Sequence, residues 1–347
     1  MIPKRTQSDK EIIKTINNTR LNCFYQSEGG IREIYLSKFV PLEFCRFLGY
    51  YQAEGGKPEY KKGEGRQVSF VNTKVALIED FIKLSKELIE VDLWAAEIRL
   101  KTRDFDKEYQ LKKNLINLGI KEGKIKIRTE NSLKDYCIRL TICSSLLYDI
   151  LFNTLTEIKK DLLKSTLNEE KIKKKYLNFM QGLFAGDGNF NVYKNKFGGN
   201  HFTLKFYEEK ENYAKDISVF LNKIDLNNRI IKDKNKNLFI IRANLNWNKL
   251  LLLEKLKLFD FHLYHKKSLK LAIKNHKRYK SHKHLIQLKE RFNIKDVQQK
   301  IKKEKVSCYN WIKDMIDCNI IIKNKKNDWS LTEKGIITKD ILNKINE

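Results

Sequence analysis

Two carboxylates, Glu54 and Asp187, each close a short apolar run and each stand directly before a glycine. The runs are Phe47-Leu48-Gly49-Tyr50-Tyr51-Gln52-Ala53-Glu54-Gly55 and Met180-Gln181-Gly182-Leu183-Phe184-Ala185-Gly186-Asp187-Gly188. An acid that recurs at the same place in two copies of one pattern points to an internal repeat that sets two carboxylates side by side. Oxygen ligands of this kind suit Mg²⁺, which accepts a few carboxylates and keeps several waters. That is a way to build a metal-dependent catalytic centre.

Helices have to position these acids. Gly49 and Ala53, and likewise Gly182 and Gly186, lie four residues apart, so each pair lines one face of a helix. Two such faces can cross backbone against backbone. The runs are too short to span a bilayer and end in charge. An anion at a helix C-terminus is disfavoured by about 0.3–1 kcal/mol, and two acids meeting at one axis repel. A divalent cation reverses both penalties. Gly55 and Gly188 are placed to supply left-handed caps. The bland alternative is a buried helix pair with two solvated acids at its end.

Leu48-Gly49 through Ala53-Glu54-Gly55, and Gln181-Gly182 through Gly186-Asp187-Gly188, resemble the two motifs of single-chain LAGLIDADG homing endonucleases. The first departs from the pattern with Tyr50, Tyr51 and Gln52 in its middle and Glu as its acid. The resemblance implies an α+β fold of two pseudo-symmetric αββαββα repeats forming a saddle over double-stranded DNA. It implies a monomer with internal two-fold pseudosymmetry. The motif acids would hold Mg²⁺, with Mn²⁺ as a substitute, for cleavage of both strands of a long site. The metal would activate water for attack on a phosphodiester, and the main-chain carbonyls of Ala53 and Gly186 would add ligands. It also implies a lysine near the metals in the strand region after the second motif. Lys205 is the candidate, with Gln67 positioning water in the first repeat.

In that saddle the DNA-facing candidates are the polar alternates of the strands: Lys57, Lys61, Lys62, Arg66, Gln67, Ser69, Asn191, Lys194, Lys196, His201, Thr203 and Lys205. Arg, Lys, Gln and Asn can read base edges in the major groove, while any lysine can meet phosphate. Two other functions stay open. A non-cleaving transcription regulator with a LAGLIDADG-like fold is favoured by the extra C-terminal domain and opposed by the two acids. An intron maturase would use the same basic surface on its own intron RNA.

Composition supports a polyanionic partner. The 347 residues carry a formal charge of +27 and a pI of about 9.6, a field suited to nucleic acid. A base-composition bias in the gene would inflate lysine but not its excess over glutamate. No basic amphipathic helix with a clean apolar face argues for a membrane. The six cysteines form no C-x-x-C pair and no zinc spacing, and no signal peptide or membrane run stands out. The expected location is intracellular, cytoplasmic or organellar.

The expected organisation is an N-terminal arm (1–40), a first repeat (41–160), a linker (161–172), a second repeat (173–260), a basic linker (261–282) and a winged-helix-like domain (283–347). Ser8-Asp9 is placed to cap a helix through Arg20. The first repeat should carry strands near 66–72, 93–101, 123–129 and 135–143, with the strand and helix at 93–118 as an insertion. The second should carry strands near 189–195, 200–207, 228–233 and 237–244. Sliding one repeat on the other pairs Val68 with Leu204 and Phe70 with Phe206. In the last domain helices are expected at 283–291, 295–303 and 307–318, the last capped by Ser307 and turning Asn310, Trp311, Asp314 and Asp317 outward. Lys323, Lys325 and Lys326 would lie in the wing.

Overall fold

In the computed structural model the described residues are 14–16, 20–27, 30–37, 42–55, 67–88, 94–143, 145–167, 169–194, 200–233, 236–325 and 328–346. The fold is mixed α+β. The chain divides into two compact units, Met1–Gly188 with Asp260–His262, and Asn189–Phe259 with Leu263–Glu347.

The first unit begins with a three-stranded antiparallel sheet of β1 (Lys14–Ile16), β2 (Arg20–Ser27) and β3 (Gly30–Ser37). The helix expected through Arg20 is therefore corrected for residues 14–16 and from 20 onward; residues 1–13 lie outside those described. The aromatic and β-branched content of Phe24-Tyr25 and Ile34-Tyr35 favours strand, and this outweighs one capping signal.

Helix α1 (Leu42–Glu54) is the first motif helix. It is buried nearly all round, as a core helix should be. It is followed by β4 (Val68–Asn72), α2 (Val75–Leu88), β5 (Ala95–Leu100), α3 (Phe105–Asn117), a 3₁₀ turn at Glu122–Lys124, β6 (Ile125–Thr129), β7 (Tyr136–Ile142) and α4 (Ser145–Lys164). The sheet order is β4-β7-β5-β6. Apolar residues at helical spacing on α2 (Leu77, Ile78, Phe81, Ile82) are buried. Phe81 stacks on Phe70 at 4.0 Å and on Phe47 at 4.7 Å between ring centroids. This aromatic stack ties α1, α2 and the sheet together.

The second motif helix, α5 (Glu170–Gly186), completes this unit. The expected linker at 161–172 contracts, because α4 runs on to Lys164 and α5 starts at Glu170. The Leu, Lys and Glu residues of that stretch are good helix formers, and the helical extension that the Lys- and Glu-rich composition also allows is what forms.

After α5 the second unit begins with β8 (Asn189–Lys194), β9 (Asn200–Glu208), α6 (Glu211–Lys223), β10 (Asn228–Asp233), β11 (Leu238–Leu245) and α7 (Trp247–Lys255). The antiparallel sheet has the order β10-β11-β9-β8. From α5 onward the order is αββαββα. In the first repeat β4, β5 and β7 pair as β9, β10 and β11 do. The insertion is thus α3 with β6, and β5 belongs to the basic plan. A parallel pairing of β6 on β5 adds a strand at the sheet edge.

The segment expected as a basic linker is folded. Helix α8 (Leu263–Asn275) buries His265, Leu269, Ala272 and Ile273 and packs on α7 and β8. Its apolar residues recur at helical spacing beneath the lysines, and the lysines mask that face in the sequence. Then come α9 (Tyr279–His282), a 3₁₀ turn at Lys283–Gln287, β12 (Arg291–Asn293), α10 (Ile294–Ile301), α11 (Lys305–Asp317), β13 (Ile321–Lys325), β14 (Asp328–Leu331) and α12 (Glu333–Asn346). The helix expected at 283–291 is a short 3₁₀ turn that gives way to strand β12. The three strands order as β12-β14-β13. Asn293 and Asp296 form a capping box on α10. The N-cap of α11 is Glu304, not Ser307. Trp311 is buried, not outward: its indole N–H donates to the Ser281 carbonyl at 2.9 Å, which satisfies the one polar atom of a large apolar side chain.

Candidate metal and nucleic-acid site

The site starts with the crossing of α1 and α5, the most extensive helix–helix packing among the described elements. A Cβ built on Gly49 would lie 2.9 Å from the Leu183 nitrogen and 3.0 Å from the Gly182 Cα, and closer still to the Phe179 carbonyl oxygen. One built on Gly182 would meet the Tyr50 nitrogen at 2.8 Å and crowd the Arg46 carbonyl. Every one of these atoms is backbone. Only glycine permits the approach, and the small-residue spacing read from the sequence has this as its physical content.

The crossing carries the end of α5 to Glu54. A Cβ on Gly186, the residue before Asp187, would lie 3.2 Å from Cγ of Glu54 and against Cβ of Ala53. Glu54 and Asp187 are both half-buried. Gly55 donates to the Tyr51 carbonyl at 2.9 Å and Gly188 to the Phe184 carbonyl at 3.1 Å. The expected left-handed caps are corrected: among the described glycines only Gly119 has a positive φ. Gly188 is required instead because a side chain would stand 2.6 Å from the Phe184 carbonyl oxygen.

Residues that sequence reading misses surround Glu54. The Asn72 Nδ2 donates to Glu54 Oε1 at 3.0 Å, and Asn72 Oδ1 accepts from the Lys74 backbone N–H at 2.8 Å. Asn72 is buried, so its amide fixes the carboxylate. The Lys74 ammonium meets His262 Nε2. Burial lowers the pKa of Lys74, against the pull of the Glu54 charge, and burial with the Lys74 charge pushes His262 down to about 4. The available signal is Asn72-Thr73-Lys74 at a strand end, but nothing in the sequence ties those residues to Glu54.

The Tyr50–Gln52 departure in the first motif is also explained. Tyr50, Tyr51 and Gln52 are buried. The Tyr50 hydroxyl donates to Asp80 Oδ2 at 2.8 Å, and the same oxygen pairs with Arg46 Nε at 3.3 Å. Burial, then the Asp80 charge, raise the Tyr50 pKa. The Arg46 guanidinium lies 3.9 Å over the Phe261 ring. The Tyr50 hydroxyl is thus satisfied inside the core, and the Arg46 charge is paired with Asp80.

The strand candidates divide. Lys57, Lys61, Lys62, Arg66 and Lys196 lie outside the described residues. Lys194 and His201 are exposed, and Gln67, Asn191 and Lys205 are half-exposed. Ser69 and Thr203 are 5% and 1% exposed, so they are not on an open face. Both are short side chains on paired strands, walled in by longer neighbours: Thr203 is opposite Asn191 and Asn244. The Gly55–Phe70 bridge and the Asn189–Lys205 pair set the two repeats in register. Phe70 then matches Phe206, as expected, and Val68 matches Leu204. Ser69 therefore matches Lys205, and Gln67 matches Thr203, so Gln67 is not the counterpart of Lys205. The Lys205 ammonium donates to the Tyr193 hydroxyl at 2.8 Å.

Register also shows basic rows that the sequence hides. Arg229, Arg242 and Lys205 lie opposite one another across β10, β11 and β9. In the first sheet Arg99 and Arg128 are neighbours on β5 and β6, and Arg139 is opposite Glu97. Glu97 pairs with both Arg99 and Arg128.

Among the described residues no group of three or more His, Cys, Asp or Glu gathers into a metal cluster. No helix among them is long and apolar enough to cross a membrane.

The profile of the LAGLIDADG-like domain matches residues 174–257. No curated protein matches the chain in sequence. Among solved structures the chain is similar to the homing endonuclease I-DmoI in complex with DNA and Mn, at 15% identity, covering 61% of this chain and 93% of that one, with a TM-score of 0.35. It is similar to I-DmoI in complex with DNA and Ca at 15% identity over 62% and 88%, TM-score 0.36. A variant of I-SmaMI is similar at 12% identity over 68% and 93%, TM-score 0.36.

Proposed function

We propose that this chain is a site-specific DNA endonuclease of the LAGLIDADG homing type that hydrolyses phosphodiester bonds in both strands. One observation carries the reading: two helices cross at Gly49 and Gly182 with no room for a side chain, and the crossing brings Gly186, the residue before Asp187, against Glu54 at the end of the other helix. The family match over residues 174–257 covers most of the second of these helices.

Glu54 and Asp187, with the carbonyls of Ala53 and Gly186, would hold Mg²⁺ or Mn²⁺. When bound, such an ion lowers the pKa of its water and offsets charge on the leaving oxygen. Asn72 orients the Glu54 carboxylate. Lys74 brings a cation to the same carboxylate, where it can stabilise charge developing on a phosphate. Lys205 and the arginine rows favour binding to the DNA backbone and base edges.

A second reading has its own support. The order β12, α10, α11, β13, β14 with the sheet β12-β14-β13 supports reading this part as a winged helix-turn-helix, a module type that docks on DNA. It fits a non-cleaving regulator as well as a nuclease with extra grip. Incubation with a plasmid library of the flanking genomic DNA, with and without Mg²⁺, decides between them. Cleavage that needs Mg²⁺ and is abolished in Asp187→Asn and Glu54→Gln, with DNA binding retained, supports the nuclease. Binding without cleavage under every condition leaves the regulator.

A further inference from the structure

The inserted helix α3 presents an outer stripe that the fold does not use. Leu111 and Leu115 face inward. On the outside Phe105 is 70% exposed, Tyr109 67% and Ile116 39%. Phe105 and Tyr109 are four residues apart, so the rings neighbour each other on one face. Single exposed apolar residues are ordinary, whereas a stripe on an added element marks an interaction surface. The second repeat reaches from β10 to β11 without any such element, so the insertion is not needed to complete the sheet.

Cations stand over these rings. The Arg103 guanidinium is 4.9 Å from the Phe105 ring centroid, and the Lys113 ammonium 5.9 Å from that of Tyr109. Lys107 lies 4.5 Å over Tyr136 on the adjoining strand β7. Lys126 and Arg128 are exposed on β6. Of the acids on this element, Asp104 is spent capping the helix and Glu108 faces Arg103; Asp106 is exposed.

We infer that α3 is a stacking platform for unpaired bases of a single-stranded nucleic acid. The argument is geometric. A duplex keeps its base faces inside the stack and offers an exposed ring nothing to lie on, while an unpaired base offers one free face per ring. Arg103 over Phe105 covers one side of that ring and supplies a phosphate partner, the pairing of aromatic and cation that single-strand surfaces use. An apolar protein surface would match the stripe but would leave the cations over each ring unpaired. The inference stands on α3 and does not depend on the nuclease reading.

The test is fluorescence anisotropy with the full chain and short labelled oligouridylate, oligothymidylate and a DNA duplex. Phe105→Leu with Tyr109→Leu keeps the apolar area and removes the π faces. Both side chains are exposed, so the fold is retained, and circular dichroism confirms it. The expected result is a loss of about tenfold or more in affinity for at least one single strand, with duplex affinity unchanged. The two single strands tell whether RNA or DNA is preferred. Arg103→Ala should weaken the same strand. Unchanged single-strand binding, or an equal loss for duplex and single strand, overturns the inference, the second because it marks a general phosphate surface.

Discussion

Gly182→Ala should disrupt the crossing of α1 and α5. The added methyl would stand 2.8 Å from the Tyr50 nitrogen, 3.0 Å from the Gly49 Cα and nearer still to the Arg46 carbonyl oxygen. Backbone cannot rotate aside as a side chain can, so the helices must part by roughly 1 Å to restore ordinary spacing in a close-packed interior. Two effects compete. Alanine gains about 1 kcal/mol of helix propensity over glycine. Overpacking against a rigid neighbour costs about 1–3 kcal/mol or more, and parting α1, which is buried nearly all round, from the buried C-terminal half of α5 loosens the apolar packing of both. The expected net loss is on the order of 2 kcal/mol. Gly123→Ala is the control, since nothing lies within 4 Å of its Cβ position. Urea unfolding followed by circular dichroism should show a lower midpoint for Gly182→Ala and an unchanged one for Gly123→Ala. Equal midpoints for the two variants would refute the claim that backbone proximity sets this interface.

Asn72→Ala removes the amide that orients Glu54. It should lower metal-dependent cleavage about 10–100-fold, the usual cost of losing an outer hydrogen bond to a ligand, with DNA affinity in Ca²⁺ unchanged. His282 is buried, with Nδ1 against the Arg278 carbonyl and no hydrogen-bond partner for Nε2. Burial, with Arg278, Lys334 and His276 nearby, pushes its pKa down to about 4. Its contribution to stability is whole above the unfolded value of about 6.5 and falls as pH drops from there to about 4, by as much as about 3 kcal/mol. His282→Gln should flatten the acid limb of stability against pH. Lys302, Lys303 and Lys305 are exposed in the turn before α11 and at its start. Replacing all three by Ala should reduce the slope of log affinity against log salt by about 0.9 for each phosphate that is no longer neutralised, and an unchanged slope would remove that turn from the DNA interface.

Local pattern carries much of the architecture. The glycine spacing locates both motif helices, and the alternation of β4 and β9 is strong enough to pair Phe70 with Phe206. What stays hidden depends on register. Arg229, Arg242 and Lys205 are far apart in sequence and meet only because three strands align. Asn72 and Lys74 sit on a strand end whose place beside Glu54 follows from sheet pairing, not from spacing. The N-terminal strands escape a local reading because the capping signal at Ser8 competes with the β propensity of the residues beyond it. In α8 the lysines conceal an inner face of Leu269, Ala272 and Ile273.

The short return of Asp260–His262 into the first unit has a consequence for how this gene can be divided. A cut between the repeats near residue 168 would leave α1 in one piece and α5 in the other, each with a bare glycine face and no mate. A cut after Phe259 would strip Phe261 from Arg46 and His262 from Lys74. The two repeats are therefore not separable cassettes. Swapping a repeat between relatives, or expressing one alone, has to carry across both α5 and these three residues, and a chimera built at the apparent boundary would inherit a wound in its first half.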